Sequence, residues 1–235
     1  MDSKTIIITG ASKGIGRALV EYFLNRNFNV IGCSRSKPNI SAKGFTFYSV
    51  DLADFESIDL FWSNVRQGKH DNIYALINCA GLASMNHSLF ASEAVINNLF
   101  DVNFKASFRM SQMFAKVLLS KKRPGRIIHF STVAVPLKLE GELIYAASKN
   151  AVEMMSSVLA KELGSFGITS NVIGPTPIAT DLIKAVPKNK IKDLISVQAI
   201  ARMGRMEDIF NVIEFYLDEK SEFITGQKVY LGGVS

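Results

Sequence analysis

Three features of the sequence predict one α/β domain, a doubly wound parallel sheet of about seven strands with helices on both faces. Uncharged β-branched runs of strand length alternate with longer segments whose apolar residues recur at helical spacing. The first such run, Thr5–Thr9, passes directly into a glycine-rich turn and a helix. The distinctive polar motifs all fall where a strand gives way to a loop, and ligands of open parallel sheets sit outside those carboxyl ends.

Thr5-Ile6-Ile7-Ile8-Thr9 reads as a strand buried on both faces. Gly10–Gly16 follows, then a helix over residues 17–25 with Ala18, Leu19, Tyr22 and Phe23 on its apolar face. Residues 29–35 are a second strand, and residues 45–50 a third that ends in Asp51-Leu52. A helix over 54–66 carries Phe55, Ile58, Phe61, Trp62 and Val65 as a packing stripe. The fourth strand, 72–78, runs into the small residues Cys79-Ala80-Gly81. Helices over 92–100 and 104–119 lead to a fifth strand, 126–132, whose end carries two hydroxyls, Ser131 and Thr132. A long helix over 145–164, a sixth strand over 169–173, a partly helical insertion over 175–201, a helix over 207–217 and a seventh strand over 227–231 complete the chain. No repeat or linker-like run divides it, so one domain is expected over 1–235.

An apolar share of 48% and a charged share of 20% suit a globular protein. The net charge of +6, from 27 basic and 21 acidic residues, is mild; nucleic acid is not required, and an anionic cofactor or acidic partner explains it as well. The first strand begins after four residues, which leaves no room for a signal peptide, and no run approaches the roughly 18 apolar residues of a membrane span. Cys33 and Cys79 read as small buried hydrophobes rather than a disulfide, as expected in a reducing cytoplasm. Neither a membrane nor a metal partner is expected.

A glycine-rich turn between a buried strand and a helix lets backbone approach a phosphate, and the helix N-terminus supplies unpaired N–H groups. Gly10 would make the tight turn, Gly14 clear room for a pyrophosphate, and Gly16 let the helix pack on the strand; Ser12, Lys13 and Ile15 complete the loop. The spacing is G-x-x-x-G-x-G, not the commoner G-x-G-x-x-G. A carboxylate at the end of the second strand would hold the adenosine ribose of NAD; this chain has Ser34 and Arg35 there, with Lys13 in the turn, which fits NADP. An ordinary glycine-rich loop and a solvated arginine are the plain alternatives.

Tyr145-Ala146-Ala147-Ser148-Lys149 places a phenol and an ammonium one helical turn apart. Such pairs also arise by chance, and the second one, Tyr216–Lys220, reads as surface packing plus a solvated lysine. Context separates the two, because the strand-end hydroxyl of Thr132 precedes Tyr145 by thirteen residues. On these motifs the chain resembles the short-chain dehydrogenase/reductase family along essentially its whole length. Thr9–Gly16 matches that family's cofactor turn, and Asn78–Gly81 matches its N-x-A-G motif with Cys79 in place of the second Asn. Asn103 matches its helix asparagine, and Phe223–Gln227 with Gly232-Gly233 its last strand. The chain departs from the pattern at Thr132, where the family has Ser, and at Thr176, where it has Gly after Pro.

The resemblance implies a Rossmann-type fold and hydride transfer between a nicotinamide and a carbonyl or alcohol. It implies Tyr145 as proton donor, Thr132 holding the carbonyl oxygen, and Asn103 holding a water that links Lys149 to solvent. Lys149 would bind the nicotinamide ribose and lower the phenol pKa; a shift from about 10 to neutrality is about what one cation near 4 Å supplies, with burial opposing it. Asp51, Leu52, Asn78, Ala80, Gly81, Pro175, Ile178 and Thr180 would join the glycine turn, Ser34, Arg35, Tyr145 and Lys149 around the cofactor. Ser131, one residue out of phase, is expected on the other face of its strand.

Within the family the chain most resembles 3-oxoacyl-[acyl-carrier-protein] reductases, including the basic turn Lys121–Arg126, which in those enzymes meets the acidic carrier protein. The expectation is an NADPH-dependent carbonyl reductase acting on a small carbonyl compound or acyl thioester; sugar, polyol and polyketide reductases share the same framework. A reading of another class is a cofactor-binding sensor or scaffold without catalysis, which Thr132 favours and Tyr145, Lys149 and Asn103 oppose. Residues 133–144 and 175–201 are expected to wall the substrate pocket, and the helices over 104–119 and 145–164 to build a homotetramer or homodimer.

Overall fold

A computed structural model describes residues 3–68, 70, 72–180, 183 and 187–234, without the side chain of Lys188. Strands β1 (Thr5–Thr9), β2 (Asn29–Ser34), β3 (Phe45–Ser49), β4 (Ile73–Asn78), β5 (Gly125–Phe130), β6 (Ile168–Gly174) and β7 (Lys228–Tyr230) form one sheet in the order β3-β2-β1-β4-β5-β6-β7. Every pairing is parallel. The described helices are α1 (Gly14–Leu24), α2 (Phe55–Gln67), α3 (Glu93–Phe100), α4 (Ala106–Ser120), α5 (Ala134–Leu137), α6 (Leu143–Leu163), α7 (Lys188–Ser196) and α8 (Met206–Leu217). The strand order reverses direction between β1 and β4, which opens a crevice at their carboxyl ends.

The uninterrupted apolar runs follow from burial on both faces. Ile6, Ile8 and Ile128 pack into one core with Leu19 and Phe23 of α1 and Ile213 of α8. Their neighbours Ile7 and Ile127 enter the other core with Trp62 of α2, Phe114 and Leu118 of α4, and Val152 of α6. Alternating side chains of one strand thus supply both layers.

Three expectations change. The helix expected over 104–119 starts earlier with a π-helical turn, Asp101–Lys105, before α4. Tyr216 is no surface residue: it is 1% exposed in the core under α8, and its hydroxyl donates to the Val172 carbonyl at 3.2 Å. Arg126 is no part of an exposed basic turn; it is buried in β5, over the Tyr74 ring. The remaining turn, Lys121–Pro124, precedes β5 and so lies at the sheet edge opposite the crevice. The insertion expected over 175–201 falls partly outside the described residues. No helix among the described residues is long and apolar enough to cross a membrane.

Candidate active site

The glycine turn has the shape a phosphate needs. Gly10 adopts φ +71°, and a Cβ there would meet Ala80 Cα at 2.9 Å, so only glycine lets β1 and β4 approach so closely. A Cβ on Gly16 would lie 2.3 Å from the Gly10 carbonyl oxygen, so α1 can start only over a glycine. A Cβ on Gly14 would meet the Thr180 side chain at 3.8 Å, an ordinary van der Waals contact, so the left-handed backbone (φ +56°) and not crowding favours glycine there. Lys13 caps α1 without a side-chain hydrogen bond, so the helix N-terminus keeps backbone N–H groups that can meet an anion. Thr9 Oγ1 accepts from Ala80 N at 3.0 Å and ties the two crevice strands together.

At the end of β2, Ser34 is buried and donates to the Ser36 carbonyl at 2.9 Å, while Ser49 of β3 donates to the Arg35 carbonyl at 3.1 Å. These bonds shape the turn and leave the Arg35 side chain exposed, as Lys13 is. Asp51 is exposed and Leu52 buried in the core. These residues suit a nicotinamide dinucleotide: an open glycine cradle, uncapped N–H groups, and no carboxylate at the end of β2.

Past β5 the chain meets α6. The Tyr145 phenol lies beside the Thr132 hydroxyl, whose Oγ1 accepts from Ala134 N at 3.2 Å. Lys149 is buried and donates to the Phe130 carbonyl at 2.9 Å. Burial pulls its ammonium down to about 8. Burial also pushes the Tyr145 phenol up to about 12; the neighbouring Thr132 hydroxyl opposes this rise and the Glu142 charge adds to it. The expected fall of the phenol towards neutrality is therefore reversed, because desolvation outweighs the favourable contacts.

Asn103, in the π-helical turn, is fully buried. Its Oδ1 accepts from Leu82 N at 2.8 Å, and its Nδ2 donates to Leu82 O and Ser148 Oγ, both at 2.9 Å. Ser148 in turn donates to the Tyr145 carbonyl at 2.7 Å. Asn103 thus braces the loop after β4 against the turn of α6 between Tyr145 and Lys149. A Cβ on Gly81 would meet Lys149 Nζ at 3.1 Å and Asn103 Oδ1 at 3.3 Å. Asn78 is buried one layer below and donates to Ser111 Oγ at 3.0 Å, with His129 Nδ1 at 3.3 Å.

Ser131 does not face the opposite layer; its hydroxyl donates to Glu153, on the same helix as Tyr145. Thr176 turns its hydroxyl away to Gln198 Oε1 at 2.7 Å, and its methyl packs where a Cβ on Gly204 would stand, which accommodates a side chain after Pro175. Ile178 is buried and bridges Gly204. Sequence reasoning missed the bracing role of Ser148, the buried carboxylate of Glu153 and the effect of Glu142 on Tyr145. The helical offsets of Glu142 from Tyr145 and of Glu153 from Lys149 were the readable signals.

The model of the short chain dehydrogenase family matches residues 4–191. The chain belongs to that family. It is 30% identical over 241 residues to the 3-oxoacyl-[acyl-carrier-protein] reductase FabG of Salmonella typhimurium, covering 99% of this chain and 97% of that protein. It is 29% identical to the D-erythrulose reductase of Gallus gallus, over 97% of this chain and 93% of that one. Among solved structures, 4-hydroxyisoleucine dehydrogenase complexed with NADH superposes with a TM-score of 0.92 at 29% identity, covering 98% of both chains. This short-chain dehydrogenase is thus an oxidoreductase of a seven-stranded Rossmann-type fold.

Proposed function

We propose that this short-chain dehydrogenase is an NADPH-dependent carbonyl reductase, with Tyr145 as general acid and Thr132 as the hydroxyl that holds the carbonyl oxygen. The observation that carries the reading is that the Thr132 hydroxyl stands beside the Tyr145 phenol, with buried Lys149 one helical turn on and moored to the Phe130 carbonyl at the carboxyl end of β5. The nicotinamide supplies the hydride. Tyr145 holds the proton at its hydroxyl, and a phenol pushed up to about 12 stays protonated at neutral pH, which suits reduction. Lys149 offers its remaining N–H groups to the ribose, and Asn103 and Ser148 fix its turn of helix.

Exposed Arg35 and Lys13 at a strand end without a carboxylate support NADPH rather than NADH, although a solved neighbour holds NADH. Relatives named for a 3-oxoacyl thioester and for a ketose both point to a ketone as the reducible group. The acyl-carrier substrate, with its acidic protein partner, is the narrower reading; a sugar or polyol carbonyl is its alternative. Exposed Phe108 on α4 and Met154 and Val158 on α6 support a homotetramer or homodimer.

The test follows NADPH consumption with a 3-oxoacyl carrier thioester, a short ketose and a simple β-keto ester, with Tyr145→Phe as control. Turnover of one of these that Tyr145→Phe abolishes supports the reading. Tight cofactor binding without turnover of any of them would leave the sensor or scaffold reading.

A further inference from the structure

Three successive residues at the end of β5 are fastened to one face of α6. The Phe130 carbonyl accepts from Lys149, the Ser131 hydroxyl donates to Glu153, and the Thr132 hydroxyl lies beside Tyr145. Tyr145, Lys149 and Glu153 are spaced four apart and share that face. Two of them belong to the proposed active site. Glu153 does not.

Glu153 is 2% exposed, yet it carries a carboxylate between helix and sheet. Besides Ser131 it accepts from the Tyr230 hydroxyl at 2.6 Å and from Lys228 Nζ at 3.3 Å, both on β7. Tyr230 reaches it by lying across Gly174, where a Cβ would meet the ring at 2.2 Å. Burying a carboxylate is costly unless its lone pairs are met, and an apolar side chain would pack there without that cost. The donors converge on Glu153, and one of them, Ser131, is the residue next to Thr132. Past Phe130, backbone bonds hold the segment at Ser131 (to the Ile173 carbonyl, 2.8 Å) and at Val133 (to the Pro175 carbonyl, 3.2 Å), on either side of Thr132. These bonds tie the segment to β6 and the loop after it, not to the helix that carries Tyr145. The Ser131–Glu153 bond links it to that helix at the residue next to Thr132, beyond the Lys149–Phe130 bond.

We propose that Glu153 is a positioning residue that holds the Thr132 hydroxyl against Tyr145 by anchoring Ser131 to α6. The inference rests on the reading of Tyr145 and Thr132 as the catalytic pair. With the anchor in place, hydroxyl and phenol move as one body; without it, a misplacement of about 1 Å is enough to slow a reaction by up to about 10²-fold.

The test measures steady-state ketone reduction by the full chain for the parent, Ser131→Ala, Glu153→Ala and Glu153→Gln, each also in a Thr132→Val background. Cofactor binding and thermal unfolding are measured alongside. Ser131→Ala and Glu153→Ala should each lower kcat by about threefold to tenfold, with KM and cofactor affinity within about twofold. Their combination should lose no more than the worse single change, since both cut one link. Glu153→Gln keeps an acceptor for Ser131 and should retain more than about half of kcat. In the Thr132→Val background neither alanine change should lower kcat further. Equal losses in that background, or a shift of unfolding temperature with kcat unchanged, would make Glu153 purely structural and overturn the inference. If Glu153→Ala does not fold, Ser131→Ala breaks the same link from the other end. Failure of the catalytic reading is seen separately, as a Tyr145→Phe variant that keeps parent turnover, and the inference falls with it.

Discussion

The Lys149 ammonium donates to the Phe130 carbonyl at 2.9 Å, so the buried cation of the site is moored to the strand that also delivers Thr132. The phenol one helical turn away is governed by burial, which holds it up near 12. Tyr145 therefore stands protonated at neutral pH, the state a general acid needs, while its phenolate is scarce.

Tyr145→Phe keeps the ring and removes the donor. Turnover should fall by about 10²-fold or more, with NADPH affinity nearly unchanged. Lys149→Met should weaken NADPH as well as slow turnover. Steady-state rates with cofactor titrations separate the two, and near-parent turnover by Tyr145→Phe would refute the mechanism.

Thr132→Ser keeps the hydroxyl on a less restricted χ1 and should retain or raise the rate. Thr132→Val should cost about 10²-fold, as loss of one oxyanion-type donor does. Ser131→Ala should cost much less, because its hydroxyl meets Glu153 and not Tyr145. A larger loss from Ser131→Ala than from Thr132→Val would reverse the assignment.

Arg35 stands exposed at the end of β2 with no carboxylate beside it in the turn. NADPH should bind at least about tenfold tighter than NADH, about 1.4 kcal/mol, and Arg35→Asp should narrow or invert the gap. Equal affinities in the parent would contradict NADP preference.

The second Tyr-x-x-x-Lys pair should matter to folding, not chemistry. Tyr216→Phe removes the core hydrogen bond to Val172 and should destabilise by about 1 kcal/mol, with turnover within about twofold. Exposed Lys220→Met should change stability by no more than about 0.5 kcal/mol. Denaturant midpoints and rates for both variants test this; a large loss of turnover in Tyr216→Phe would argue against a structural role.

His129 is buried against Asn78, and burial pulls its imidazole down to about 3, with the Lys149 charge acting the same way. Its unfolded value is about 6.5. The unfolded chain therefore binds the extra proton between those values, and stability present above about pH 6.5 is lost as pH falls towards 3. His129→Asn keeps a partner for Asn78 and should flatten that acid limb by up to about 1.4 kcal/mol per pH unit. Parallel pH-stability curves for parent and variant would exclude His129 as the cause.

Much of the fold is local and therefore legible. Thr5–Thr9 and Gly10–Gly16 declare a buried strand, a tight turn and a helix start through β-branching and glycine spacing alone. Element ends were less legible: the π-helical turn at Asp101–Lys105 leaves no periodicity to distinguish it from the helices on either side. Arg126 and Tyr216 were misread because a charge or hydroxyl does not reveal that Tyr74, Gly125 and Val172 wait to partner it.

By itself the sequence determined the order of strands and helices and the sheet edge on which Gly14, Asn78, Thr132 and Tyr145 gather, since periodicity and turn chemistry act over a few residues. Only the tertiary structure decided that Asn103 braces Leu82 and Ser148, that Glu153 gathers Ser131 with β7, and that the Tyr145 phenol rises while the Lys149 ammonium falls. Those outcomes depend on desolvation and hydrogen bonds summed over neighbours far apart in the chain, and no local pattern encodes that sum.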